Sequence, residues 1–207
     1  MAAIEVEKAA AVEILASAEE KVVEAPKKHP LENAWTLWFF KEEKDKDWIE
    51  CYKKVASFTT VEDFWALYNF IMPPSKLAVK CEYSVFKEGI SPMWEDPRNC
   101  KGGKWRYNVQ QKHQGSLDDN WKEMLMSMAG EQFDEYSNEV NGVVLQRRAR
   151  NDRLAIWVAD TNNLNSVQSI GLKFKNTLGL PSNINIHYES HADAQTKASS
   201  HKFSLKL

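Results

Sequence analysis

The sequence predicts an α+β fold, with an antiparallel sheet that carries helices on one face. Two observations lead there. Stretches that alternate apolar and polar residues outnumber helical ones. Only three segments repeat apolar residues at helical spacing between clear start and stop signals, and strand clusters separated by so few helices do not make a regular parallel α/β array.

In chain order, the first alternating stretch is "AWTLWFF" (34–40). "TTVEDFWALYNFI" (59–71) then opens with a capping-box signature, Thr59 followed three residues later by Glu62, and reads as a helix. "VKCEYSVF" (79–86) and "KWRYNV" (104–109) alternate again. "SLDDNWKEMLMSMAGE" (116–131) starts at a Ser cap, repeats Leu117, Trp121, Leu125 and Met128, and stops at Gly130. "GVVLQRRAR" (142–150) and "RLAIWVA" (153–159) read as strands. The third helix, near 163–178, has Val167, Ile170, Phe174 and Leu178 in register, then Gly179 and Pro181 as stops. "NINIHY" (183–188) closes the set.

Composition shifts once along the chain. Residues 1–28 hold four Lys and six Glu and lack aromatic residues, so they read as a flexible arm before a domain over 29–207. The domain carries 23 basic and 23 acidic groups, so attraction to a nucleic acid has to come from local charge. No apolar run approaches the ~18 residues of a membrane span. The N-terminus carries no basic segment leading into an apolar one, which predicts no secretory leader. Cys51, Cys81 and Cys100 form neither a CxxC nor an even disulfide set, and read as reduced intracellular thiols.

Local charge is present. "KGGKWRYNVQQK" (101–112) carries four positive groups and no acid, and "QRRARNDR" (146–153) carries four arginines against Asp152 alone. Either run alone reads as a solvated strand edge. Both sit beside tryptophans, Trp105 and Trp157, and cations interleaved with aromatics are a means of holding nucleotides. Period-two alternation puts Leu154, Ile156 and Val158 on one face, and Arg153, Ala155 and Trp157 on the other. Carried through the preceding strand, it groups Val144, Gln146, Arg148 and Arg150. One sheet face is therefore expected to be concave, cationic and lined by Trp157. In "SPMWEDPRNCKGGKW" (91–105), Pro92 and Pro97 argue against a helix or central strand, which leaves Trp94 on a loop beside Glu95.

From His29 onward the chain resembles the eukaryotic translation initiation factor 4E family, which binds the messenger RNA cap. The resemblance rests on "HPLENAWTLWFF" (29–40), "TVEDFWALYN" (60–69), "MWEDPRNCKGGKW" (93–105), "GEQFDEYS" (130–137), "RLAIWVAD" (153–160) and "SHADAQTK" (190–197), in the family's order. It implies a curved antiparallel sheet of about eight strands, three long helices on the convex face and a cap pocket on the concave one. It also implies that Trp48 and Trp94 sandwich the 7-methylguanine, that Glu95 accepts from its N–H edge, and that Trp157 lies near the methyl group. Arg148, Arg150 and Arg153 are implied to reach the phosphates, with Trp105 as a further indole of the site. Without the resemblance, Trp48 reads as a surface tryptophan, Glu95 as a turn cap and Trp157 as packing. Trp35, Trp38 and Trp121 read as core.

Those residue types suit the ligand. Methylation at N7 makes the guanine ring cationic, so indole faces attract it beyond stacking; a stacked base is worth about 1–3 kcal/mol and a desolvated cation–π contact about 2 kcal/mol. A carboxylate only accepts hydrogen bonds, which fits guanine's paired donors and not adenine's edge. Arginine meets phosphate with forked donors.

The first helix bears an apolar stripe of Phe64, Leu67, Tyr68 and Ile71, which Val61, Trp65 and Met72 widen. A deep core explains such breadth. The resemblance instead implies a dorsal docking surface of His29, Pro30, Val61, Trp65, Glu123, Met126 and Gly130. That surface is implied to take a helix with Tyr, four arbitrary residues, Leu and an apolar residue, carried by a 4G-type scaffold or by 4E-binding repressor proteins. Lys122 and Met126 stand where the family tends to have apolar residues, often leucine, and Lys122 bears on partner choice. Ser200 falls near the family's phosphorylated serine.

The expected function is therefore recruitment of capped messenger RNA for translation, by a cytoplasmic and also nuclear monomer that needs no cofactor. The alternative is a repressor that holds the cap without loading ribosomes. No glycine-rich phosphate loop, metal-ligand cluster or nucleophile–base constellation at recognised spacing predicts an enzyme.

Overall fold

A computed structural model describes residues 27–109, 117–195 and 205–207. The expected arm falls outside the described residues except for Lys27 and Lys28, as do Ser116 and Ser200. Eight strands form one sheet: β1 Pro30–Lys41, β2 Tyr52–Thr60, β3 Cys81–Lys87, β4 Gly103–Val109, β5 Val140–Gln146, β6 Asp152–Val158, β7 His187–Ser190 and β8 Leu205–Lys206. Their order is β2-β1-β3-β5-β6-β4-β7-β8, and every neighbouring pair is antiparallel. The sheet is curved. Three helices, α1 Val61–Phe70, α2 Leu117–Ala129 and α3 Leu164–Thr177, pack on one face, and a short α4, His191–Gln195, follows β7.

Strand alternation builds the core. Trp35 and Leu37 from β1, Val85 from β3, Trp105 and Tyr107 from β4, and Leu154, Ile156 and Val158 from β6 point at the helices. There they meet Phe64 of α1, Trp121, Leu125 and Met128 of α2, and Val167, Ile170 and Phe174 of α3. The contact between α3 and the sheet is close: a Cβ at Gly171 would lie 2.4 Å from the Trp105 ring. Gly179 ends α3 at φ +59°, where its N–H bonds Asn176 and the Leu180 N–H reaches back to Lys175. The left-handed turn needs glycine.

Several expectations shift. Thr60, not Thr59, caps α1; its hydroxyl accepts from the Asp63 N–H at 3.2 Å, because Glu62 is engaged with His29 instead. β5 stops at Gln146, so Arg148 and Arg150 lie in the connection to β6 and do not continue its alternation. Two short or exposed strands went unnamed in the sequence, the edge strand β2 with its exposed Lys53 and Lys54, and β8 of two residues. Trp38 does not join the helix-side core. It sits opposite Ser84, on the face away from the helices, and is only half-buried.

Candidate functional site

The face away from the helices carries charge in cross-strand rows. Trp157, Lys104 and Glu189 stand side by side across β6, β4 and β7, and Ala155, Arg106 and His187 form the next row. A third runs Tyr52, Phe40, Glu82, Gln146, Arg153, Asn108 across six strands. Side chains directly opposite in a ladder lie within contact reach, so each row acts as a unit.

A cavity of about 100 Å³ opens on this face, lined by Trp48, Tyr52, Glu82, Trp94, Lys104, Gln146, Arg153 and Trp157, among others. Two of its indoles are unusually bare: Trp48 is 45% exposed and Trp94 39%. Their exposure differs from that of Trp157, which is buried at the floor against Phe86 and beneath the Lys104 ammonium, 5.2 Å from its ring. Beside this cavity lies a larger one of about 460 Å³, which shares Glu82, Gln146 and Arg153 and adds Lys80, Arg147 and Arg148.

The two exposed indoles are held differently. Trp48 begins a four-residue 3-10 helix after β1, and touches Tyr52 edge-on at 5.2 Å and Phe40 at 6.3 Å. Trp94 sits on a loop tied by buried polar groups. Asp96 accepts from the Ser91 N–H and hydroxyl and from the Arg98 N–H. Asn99, fully buried, donates to the carbonyls of Ser91 and Met93, and Asn141 donates to Arg98 and Asn99. Each bond satisfies a loop group that burial would otherwise leave costly. Glu95, next to Trp94, is exposed on this braced loop and is not drawn into the bracing.

The electrostatics favour an anion. Burial lowers the pKa of Lys104, with Glu189 opposing that shift, and burial likewise lowers Arg106. Arg153 is brought down to about 10, chiefly by burial, with Arg106 and Arg148 adding repulsion. The acids here are engaged. Glu189 pairs with Arg106 at 3.2 Å, and Glu82 accepts from Tyr52, Ser84 and Gln146. Burial pushes the Glu82 carboxyl up while those three donors pull it down. A partly desolvated cluster with surplus positive charge is a place for phosphate. The His191 ring lies tilted against Trp157, centroids 4.2 Å apart, and burial beside Lys104 lowers its pKa to about 3.

The structure brings together most of the expected concave-face residues. Trp48, Trp94, Trp157 and Arg153 line one cavity and Arg148 its neighbour, while Glu95, exposed beside Trp94, lines neither. Arg150 is exposed and lines neither. Trp105 is misplaced by the sequence reading. It is fully buried on the helix side, opposite Ile156 and Tyr188, and its indole N–H donates to the Val167 carbonyl of α3 at 2.7 Å. It is core, not site. The sequence reading names neither Tyr52, Glu82 nor Lys104 for the site, and places Gln146 on this face without a role. The signal for two of them was present, since alternation in "VKCEYSVF" sets Glu82 beside Ser84 and Phe86, and that in "KWRYNV" sets Lys104 with Arg106.

On the helix side, α1 divides as its stripe foretold. Phe64 is buried and Leu67, Tyr68 and Ile71 pack on the core, while Val61 and Trp65 stay exposed. His29 and Pro30 are exposed before α1; Glu62 accepts from the His29 N–H at 2.9 Å and meets its Nδ1 at 2.7 Å, which hold its carboxyl down at about 2. On α2, Met126 is half-buried, Glu123 is exposed and Lys122 pairs with Asp119 at 3.2 Å, and Gly130, just past its end, is exposed. No cluster of metal ligands occurs among the described residues, and no helix there is long and apolar enough to cross a membrane.

The site is thus an aromatic-flanked cavity beside partly buried cations on an antiparallel sheet. Comparison with known proteins gives the family. The profile of the family described as eukaryotic initiation factor 4E matches residues 30–205, and the chain belongs to that family. Eukaryotic translation initiation factor 4E of Xenopus laevis is 48% identical over 174 residues, covering 84% of this chain and 82% of the relative. The Homo sapiens factor is also 48% identical over 174 residues, at 84% and 80% coverage. Among solved structures, Ascaris suum eIF4E-3 with an m2,2,7G cap superposes with TM-score 0.83 at 39% identity, over 87% of this chain and 99% of that one. Caenorhabditis elegans eIF4E-3 with the 4E-binding protein Mextli and a cap analog gives 0.81 at 39% identity, over 87% and 100%. Schistosome eIF4E with m7GpppG and 4E-BP gives 0.80 at 33% identity, over 87% and 99%. The family is one of initiation factors and not of enzymes.

Proposed function

We propose that this chain binds the 7-methylguanosine cap of messenger RNA and, through its dorsal surface, a 4G-type scaffold that starts translation. The observation that carries the reading is one cavity shared by two half-exposed indoles and a cationic row. In this reading Trp48 and Trp94 stack on the two faces of the methylated guanine, and Glu95 accepts from its N–H edge. Trp157 closes the methyl side. Lys104, Arg153 and Arg148 meet the phosphates, and Arg150 the chain beyond them. A cationic ring gains cation–π attraction that unmethylated guanine lacks, about 2 kcal/mol when desolvated. That similar proteins were solved with cap ligands supports cap binding as the function.

The dorsal surface of His29, Pro30, Val61, Trp65, Glu123, Met126 and Gly130 is assigned to a helix carrying Tyr, four residues, Leu and an apolar residue. Lys122 on that surface favours a second reading, a repressor that holds the cap without productive scaffold recruitment. Binding of the cap with no binding of a 4G-type peptide selects the repressor.

Titration of tryptophan fluorescence with 7-methyl-GTP and with GTP tests the principal claim. The methylated nucleotide is expected to quench strongly at far lower concentration. Equal affinity for the two nucleotides overturns the reading.

A further inference from the structure

The row Tyr52, Phe40, Glu82, Gln146, Arg153, Asn108 does more than line the cavities, because its polar members are bonded end to end. The Tyr52 hydroxyl donates to Glu82 Oε1 at 2.7 Å. Gln146 Nε2 donates to the other oxygen, Glu82 Oε2, at 2.6 Å. The amide thereby turns its own oxygen to Arg153, whose Nη1 donates to it at 3.4 Å while Nε donates to Asn108 at 3.3 Å. Both ends carry ligand-facing groups. Tyr52 supports Trp48 edge-on, and Arg153 lies in both cavities. Besides Tyr52, Trp48 touches the Phe40 ring at 6.3 Å; its 3-10 helix has four residues, and its N-cap Asp47 makes no side-chain bond.

We propose that Tyr52, Glu82 and Gln146 form a positioning relay, with Glu82 as its hub, that sets the Trp48 wall and the Arg153 guanidinium together before ligand arrives. The proposal rests on the cap-pocket reading for its ligand. Direction in the relay comes from donor and acceptor chemistry. Tyr52, Ser84 and Gln146 all donate to the two Glu82 oxygens, so the Gln146 amide presents N–H to Glu82 and its oxygen to Arg153. A Gln at position 82 carries donors of its own. It can turn the Gln146 amide around, and that places N–H against the arginine. Removing the Tyr52 hydroxyl frees only the aromatic end.

The test uses the whole chain, 7-methyl-GTP and 7-methylguanosine as probes, and fluorine-labelled tryptophan for NMR without ligand. Tyr52→Phe is expected to broaden or split the Trp48 line, and to weaken both probes by a similar factor, about tenfold, as for one lost bond to a charged group. Glu82→Gln is expected to weaken 7-methyl-GTP several-fold more than 7-methylguanosine, and to flatten the salt dependence of nucleotide binding. The lines of Trp35 and Trp121 report the core. If they change along with Trp48 in both variants, the row is a fold element and the relay is refuted. An unchanged Trp48 line in Tyr52→Phe, or equal loss on both probes in Glu82→Gln, also overturns it. If the unaltered chain fails to prefer the methylated nucleotide, the cap reading fails separately, and the ligand-free NMR lines still decide the aromatic half of the relay.

Discussion

The two faces of the sheet are built by the same strands and obey opposite rules. Towards the helices, Trp35, Trp105 and Trp121 are fully buried in the hydrophobic core. On the opposite face, Trp48 and Trp94 are half-bare, and Glu82, Lys104, Arg106 and Arg153 are drawn together at the cost of desolvation. Buried charge adds little to stability when the chain could have used apolar residues. In the proposed reading the face keeps it for a ligand, and the position of an indole relative to the sheet, more than its neighbours in sequence, decides its burial.

That contrast can be broken most forcefully by truncating one tryptophan on each face. Trp105→Ala is expected to cost about 3–5 kcal/mol of stability, as for a large core aromatic, measured by chemical denaturation. Trp94→Ala is expected to leave the midpoint nearly unmoved and to cost about 3–5 kcal/mol of 7-methyl-GTP affinity, the sum of stacking and cation–π attraction, read by calorimetry. A Trp94 variant that melts like the Trp105 variant would erase the distinction.

The polar bracing under Trp94 sharpens it. Asn99→Ala strands the Ser91 and Met93 carbonyls, and is expected to cost about 2–3 kcal/mol of stability together with cap affinity. The loop is the one place where both properties should fall together.

The pH dependence of stability follows from His191, buried against Trp157 and Lys104 with its folded-state pKa lowered to about 3. The unfolded chain binds that proton near the ordinary value of about 6.5. Its contribution is therefore complete above pH 6.5 and is lost as pH falls from there towards 3. Denaturation at stepped pH should show this slope, and His191→Gln should flatten it. The smallest effect is expected at the dorsal surface. Lys122→Leu removes a solvent-screened ion pair with Asp119, so stability should hold while affinity for a 4G-type peptide rises modestly in a binding titration.

Much of this was legible in the sequence, for physical reasons. Alternation sorted Leu154, Ile156 and Val158 from Ala155 and Trp157 correctly, because β6 is regular throughout its length. The same rule carried to Arg148 and Arg150 failed, since β5 ends at Gln146 and local spacing does not reveal where a ladder stops. Trp105 was placed in the site on its family neighbourhood, although its own strand pairs it with Tyr107 and Val109, an apolar face. Heeding that pattern would have sent it to the core. Glu82 was overlooked because a lone acid in a strand looks solvated, and only tertiary contact showed Tyr52 and Gln146 bonded to it. The α1 cap was off by one residue because two threonines and two acids in "TTVED" offer two registers, and His29 settles the choice by taking Glu62.

The most direct measurement is an NMR titration of the eight indole N–H resonances with 7-methyl-GTP. The account predicts large shifts for Trp48, Trp94 and Trp157, small ones for Trp35, Trp105 and Trp121, and none of that size with GTP at equal concentration. Trp105 moving as far as Trp94, or GTP producing the same pattern, would contradict it.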